Sequence, residues 1–107
     1  MTGIEAIAAE RKRQIEQEGW TKDHDAGYVK AEMVLAAVAY ASHAGVGIQV
    51  TEHNPAAYKA CHAPKYWPWS KSWWKPMDPR RDLVKAGALI AAEIDRLDQE
   101  SGFVTEQ

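Results

Sequence analysis

The run MVLAAVAYA from Met33 to Ala41 limits the fold more than any other stretch of the chain. It is apolar on nearly every face, and its alanines favour helix over strand. A helix that is apolar all round has to be surrounded, so the rest of a chain of 107 residues must supply its cover. The pattern predicts this central helix from about Tyr28 to His43, ended by Gly45, Gly47 and the β-branched run Val46 to Thr51.

Two further helices flank it. Thr2 followed three residues later by Glu5 has the form of a capping box, so a helix is expected to begin at once and run to about Glu18, where Gly19 stops it. Ile4, Ile7, Ala8, Arg11 and Ile15 share one face of it. Asp78 as N-cap and Pro79 at the first helical position start a last helix over about 79–100, with Gly102 as its stop. Leu83, Gly87, Ile90, Ile94 and Leu97 fall on one stripe, flanked by Val84, Ala88 and Ala91, and are expected to pack on the Ala-rich central helix. Residues 20–27 read as a loop, and 44–78 as a long, mostly irregular excursion in which Asn54-Pro55 introduces one or two helical turns. The expectation is an all-α fold, one domain over 1–107 with three main helices, a long Trp-rich connection before the last helix, and a fraying tail at 103–107.

Thirteen Lys and Arg against fifteen Asp and Glu give a formal charge of -2, which supplies no global field for duplex nucleic acid or an anionic membrane. Any anion site must be local. The lone cysteine, Cys61, has no partner for an intramolecular disulfide, and the longest apolar run is far short of the roughly 20 residues that cross a bilayer. The N-terminus lacks a signal-peptide pattern, so a soluble, cytoplasmic protein is expected.

Four of the five tryptophans, Trp67, Trp69, Trp73 and Trp74, fall within eight residues, in WPWSKSWWKP. Pro68 and Pro76 restrict the backbone around them, which lowers the ordering cost of a binding platform. The segment runs through Lys75 into Arg80, Arg81 and Lys85 at the start of the last helix. Indole faces beside fixed cations suit a flat anionic ligand, a base stacking while guanidinium groups hold phosphate. The plainer reading makes the indoles core filling and pairs the arginines with Asp78 and Asp82. In the 20–27 loop, Asp23, His24 and Asp25 can hold a divalent cation, a water or a partner's basic group, although Asp25 as an N-cap is the commoner role. His53, Cys61 and His62 are too irregularly spaced for a zinc module. Glu32, Asp82, Glu93 and Asp95 form an inward carboxylate group for Mg²⁺ if they meet across helices; otherwise Glu32 and Glu93 are solvated, or paired with Lys30 and Arg96.

The succession ERKRQIEQEGWT from Glu10, His24-Asp25, WPW from Trp67, WWKP from Trp73 and RRDLVKAGALIAAEIDRL from Arg80 resembles a widespread group of small phage and prophage proteins. The resemblance covers most of the chain outside residues 44–63 and implies a viral origin, hence the host cytosol, but no particular reaction. The acidic helices are more distantly similar to MazG-like all-α nucleoside triphosphate pyrophosphohydrolases, whose paired helices carry ExxE and ExxD metal motifs. Here no ExxE surrounds Glu32, and Glu93 with Asp95 gives ExD. The leading expectation is a homo-oligomer that binds a nucleotide-like anionic ligand without a cofactor, sequestering a host immune signal in the counter-defence version of that role. One alternative is a Mg²⁺-dependent pyrophosphohydrolase. The other is an interaction module that sets its tryptophans on a host protein.

Overall fold

The computed structural model describes residues 1–18, 31–51 and 54–101. Within them the fold is all-α, with no strand. Helix α1 spans Gly3–Glu18, α2 Glu32–Thr51, the short α3 Pro55–Ala60 and α4 Pro79–Ser101, with a 3-10 turn at Lys71–Trp73. None of the described helices is long and apolar enough to cross a membrane. The proposed stops at Gly19 and Gly102, the start at Tyr28, the tail, and the candidates Asp23, His24, Asp25 and His53 lie outside the described residues.

The local signals for helix starts act as expected. Thr2 Oγ1 accepts from the Glu5 amide at 3.2 Å while Glu5 Oε1 accepts from the Thr2 amide at 2.8 Å, the reciprocal pair of a capping box. Asp78 Oδ1 accepts from the Arg81 amide at 2.8 Å, and Asn54 Oδ1 from the Ala57 amide at 3.1 Å, so each caps the helix that its proline opens. Helix α2 differs from its prediction. It continues through Gly45 and Gly47 to Thr51, although each glycine costs roughly 1 kcal/mol relative to alanine. Tyr40, Ala44 and Gly47 are buried at steps of four and three, so the face that seats the helix extends past the glycines and outweighs their propensity.

The core lies between α2 and α4. Met33, Ala36, Ala37, Ala39 and Tyr40 of α2 meet Ala86, Leu89 and Ala92 of α4, and Trp67 closes the cluster from the connection. Small side chains let the two helices approach. Two faces differ from those expected, although Val84 and Ala88 on α4 and Arg11 on α1 are buried as read. On α4, Leu83, Ile90, Ile94 and Leu97 are 47–52 % exposed, and Asp82, Ala86, Leu89, Ala92, Glu93 and Arg96 point inward instead. On α1 the buried residues are Ala6, Glu10, Arg11 and Gln14, whereas Ile4 stands almost fully exposed. These helices bury charge because the charges pair. Glu93 grips Arg96 through two bonds of 2.6 and 3.0 Å, and Arg11 reaches Asp95 at 3.6 Å. Ile7 of α1 is seated so tightly on α4 that a Cβ at Gly87 would lie 2.6 Å from its Cδ1.

Candidate functional site

The connection between α3 and α4 is held down by aromatic stacking and a knot of polar groups. Tyr40, from the middle of α2, is its hub: the Trp74 ring stacks on it at 4.9 Å with a 24° interplanar angle, and Trp67 meets it edge-on at 5.5 Å. Trp69 packs edge-on against Trp67 at 5.5 Å. Indole N–H groups tie down the backbone, Trp67 Nε1 donating to Ser70 O at 3.1 Å and Trp74 Nε1 to Cys61 O at 3.0 Å. Aromatic pairs of this geometry contribute about 0.5–1.5 kcal/mol beyond their burial. Trp67 is thus core, and Trp69 and Trp74 are partly buried against it. Trp73 alone of the four turns outward, 57 % exposed, with the Lys75 ammonium 5.8 Å from its ring centroid.

Beneath the connection sits Asp82, fully buried in the first turn of α4. The Tyr58 hydroxyl donates to its Oδ2 at 2.6 Å and the Met77 amide to both oxygens at 3.1 and 3.3 Å, while the Lys85 ammonium stands 3.9 Å away. Burial pushes the Asp82 carboxyl above its ordinary range, and the Tyr58, Met77 and Lys85 groups work against that shift. Burial, then the bond to Asp82, pushes the Tyr58 hydroxyl up. Lys85 also donates to Lys75 O at 2.9 Å and lies over the Tyr40 ring at 5.1 Å, while the Lys75 amide donates to Tyr40 Oη at 3.2 Å. Burial lowers the Lys85 pKa, the Asp82 charge opposing it.

Arg81 is occupied as well. Its guanidinium donates to buried Glu10 of α1 at 2.6 Å, completing a set in which Arg13 contributes bonds of 2.8 and 2.9 Å and Gln14 one of 3.0 Å. Arg80 is exposed, as is Lys75. The predicted constellation is therefore divided: Arg81 and Lys85 brace α1 and the connection, whereas Trp73, Lys75 and Arg80 face solvent. The carboxylates do not assemble either. Glu93 is held by Arg96, Asp82 by Tyr58, and among the described residues no three His, Cys, Asp or Glu side chains come together as a metal site.

A cavity of about 210 Å³ opens beside this aromatic stack, lined by Ser42, His43, His62, Pro64, Tyr66 and Trp74 among others. Helix α2 supplies its floor and the connection its rim. His43 is fixed from behind, its Nε2 3.0 Å from Tyr58 O and its ring 4.1 Å from the Tyr58 ring; Ser42 Oγ and Tyr66 Oη lie 3.3 Å apart across the mouth. The rim thus offers imidazole and hydroxyl groups beside an indole. No family model, curated protein or solved structure matches the chain. Sequence reading missed Ser42, His43, Tyr58 and Tyr66 because they gather from separate elements with no local motif. Tyr66, directly before WPW, is the one that sits beside a signal.

Charge is uneven along the chain. Seven of the thirteen Lys and Arg lie between residues 59 and 85, against two of the fifteen acids, although the whole chain is net negative. Lys65, between the cavity residues Pro64 and Tyr66, is exposed. Of that stretch, Arg81 and Lys85 are paired with Glu10 and Asp82.

Proposed function

We propose that the protein binds a small anionic ligand of nucleotide-like chemistry without converting it, at the cavity beside Trp74. The observation that carries this reading is the coincidence of an aromatic-walled cavity with the basic stretch of the chain. The cavity accepts a single ring system, not a whole nucleotide. A base edge meets Ser42, His43 and Tyr66, and the phosphate lies outside beside His62 and Lys65. With a phage origin, the role is sequestration of a host signalling nucleotide in the host cytosol, by a protein acting as a homo-oligomer.

The test is intrinsic tryptophan fluorescence and thermal stability against linear and cyclic nucleotides, with and without Mg²⁺, followed by chromatography of each ligand. A shift with intact ligand recovered, weakened tenfold or more in His62→Ala/Lys65→Ala, is expected. No response to any nucleotide, or unchanged affinity in that variant, rejects the reading, and Mg²⁺-dependent breakdown replaces it with a pyrophosphohydrolase. One observation favours a host-protein partner instead: Trp73 and Met77 are large apolar side chains exposed on the same connection, the residue type on which interfaces concentrate their energy. Trp73→Ala then abolishes capture of that partner and leaves nucleotide binding intact.

A further inference from the structure

We infer that His43 selects and orients the ligand of the cavity: its Nδ1 is a fixed hydrogen-bond acceptor, so the ligand enters with an N–H of a neutral planar ring leading and its anionic group trailing. The inference rests on the cavity reading above and deepens it by naming the edge that is recognised. His43 Nε2 lies 3.0 Å from the Tyr58 carbonyl oxygen. A carbonyl oxygen only accepts, so Nε2 carries the proton and donates. A neutral imidazole has one N–H, which leaves a lone pair on Nδ1. Tyr58 is itself anchored, buried with its hydroxyl donating to fully buried Asp82 at 2.6 Å, and its ring lies 4.1 Å from the imidazole. The core therefore sets the tautomer.

Nδ1 lies on the other side of the ring from Nε2, directed away from α3. Among the described residues it has no partner, and it is not one of the sealed side-chain atoms, so it opens through the cavity that His43 lines. The neighbouring groups are committed or adaptable. The Trp74 N–H is spent on Cys61 O at 3.0 Å, so this wall, edge-on to the imidazole at 5.4 Å, offers a ring and no donor. Ser42 Oγ and Tyr66 Oη lie 3.3 Å apart; whichever donates to the other, one hydroxyl hydrogen is left over. The cavity thus holds an acceptor of fixed sense and a free donor. An N–H beside a carbonyl or a ring nitrogen, as on the pairing edge of a nucleobase, complements both. An ionised phosphate has no hydrogen to give and would set its oxygens against the Nδ1 lone pair, leaving that acceptor unmatched. It stays at the mouth with His62 and Lys65.

Nitrogen-15 NMR of the ligand-free full chain, in mildly alkaline buffer, is expected to show His43 protonated at Nε2 and bare at Nδ1. The reverse tautomer overturns the inference and leaves the cavity reading standing. Titration then uses linear and cyclic nucleotides of adenine, cytosine, guanine and uracil, each beside an analogue whose base is methylated until no N–H remains on it. A nucleotide that binds is expected to lose about tenfold in affinity on methylation, the worth of one hydrogen bond, and to move the His43 Nδ1 resonance, which inorganic phosphate leaves in place. In His43→Leu the preference for the unmethylated base is expected to vanish. Equal binding of both forms by wild type, or a preference that survives in His43→Leu, overturns the inference alone. No binding of any nucleotide overturns the cavity reading and the inference together. If His43→Leu loses its helical circular dichroism, the wild-type resonance decides in its place, and an Nδ1 signal unmoved by a bound nucleotide overturns the assignment.

Discussion

Glu10 is an acid inside the protein that owes its charge to two arginines. Burial by itself pushes its carboxyl up, but the bonds and charges of Arg13 and Arg81 more than reverse this and bring the pKa down from 4.5 to about 2. A folded-state pKa below the unfolded one means that the contribution to stability is fully present above pH 4.5 and is lost as pH falls through about 2. Unfolding midpoints between pH 5 and 2 are expected to fall more steeply for wild type than for Glu10→Gln; parallel profiles would show that the Glu10 charge contributes nothing. Asp82 has the opposite sign. Its pKa is raised above 3.8, so its ionised form detracts from stability as pH rises, and the Tyr58 hydroxyl limits that cost. Tyr58→Phe is expected to lose about 1.5–3 kcal/mol with the carboxyl ionised, the worth of a hydrogen bond to a charged group, and less as pH falls and the carboxyl takes up a proton. A loss independent of pH would place the effect in packing. Neither network was legible in the sequence. The nearest acids to Arg81 are Asp78 and Asp82, yet its partner is 71 residues away, and only the fold brings them together.

At the scale of elements, sequence signals told where helices start far better than which way they face. The capping box at Thr2, Asn54-Pro55 and Asp78-Pro79 are local chemistry, complete within four residues, and each sits where it was read. Facing is a tertiary property. On α4 the stripe of Leu and Ile gave the stronger periodic signal, but the inward stripe of Ala86, Leu89 and Ala92 fits the alanines of α2, and its charged members are partnered, Glu93 by Arg96 of the same helix and Asp82 by the Tyr58 hydroxyl of α3. The close approach of α1 to α4 at Gly87 follows from the same demand for small contacts. Filling that space makes a clean test. Gly87→Val forces its branches into Ile7 and is expected to cost about 1–3 kcal/mol by overpacking, even though removing a glycine from a helix ordinarily gains up to about 1 kcal/mol. Ile7→Ala in the same chain is expected to recover most of the loss. A neutral or stabilising Gly87→Val would mean that Ile7 does not press on α4 at this point.

For the whole molecule, the consequential feature is that a connection with little regular structure shares its core with the two long helices. Trp67 reaches into the cluster formed by Met33, Tyr40, Leu89 and their neighbours, and Trp74 stacks on the same Tyr40. The cavity wall is therefore the outer side of the hydrophobic core. Adjacent Trp73 and Trp74 part company, Trp73 facing solvent and Trp74 partly buried against the core, a split that composition alone does not dictate. If connection and helices are one cooperative unit, unfolding followed in a Trp20→Phe background by tryptophan fluorescence, which then reports the connection, and by far-ultraviolet circular dichroism, which reports the helices, gives superimposable transitions. Trp67→Ala is expected to shift both together by about 3–5 kcal/mol, the cost of emptying a buried aromatic site. Trp73→Ala, on the surface, is expected to move neither by more than about 0.5 kcal/mol. A fluorescence transition that precedes the helical one would mean that the connection opens on its own, so that the cavity at Trp74 is lost before the fold is. Coincident transitions would instead tie any ligand held there to the whole molecule, stabilising the helices by RT ln(1 + [L]/Kd) and raising both midpoints equally.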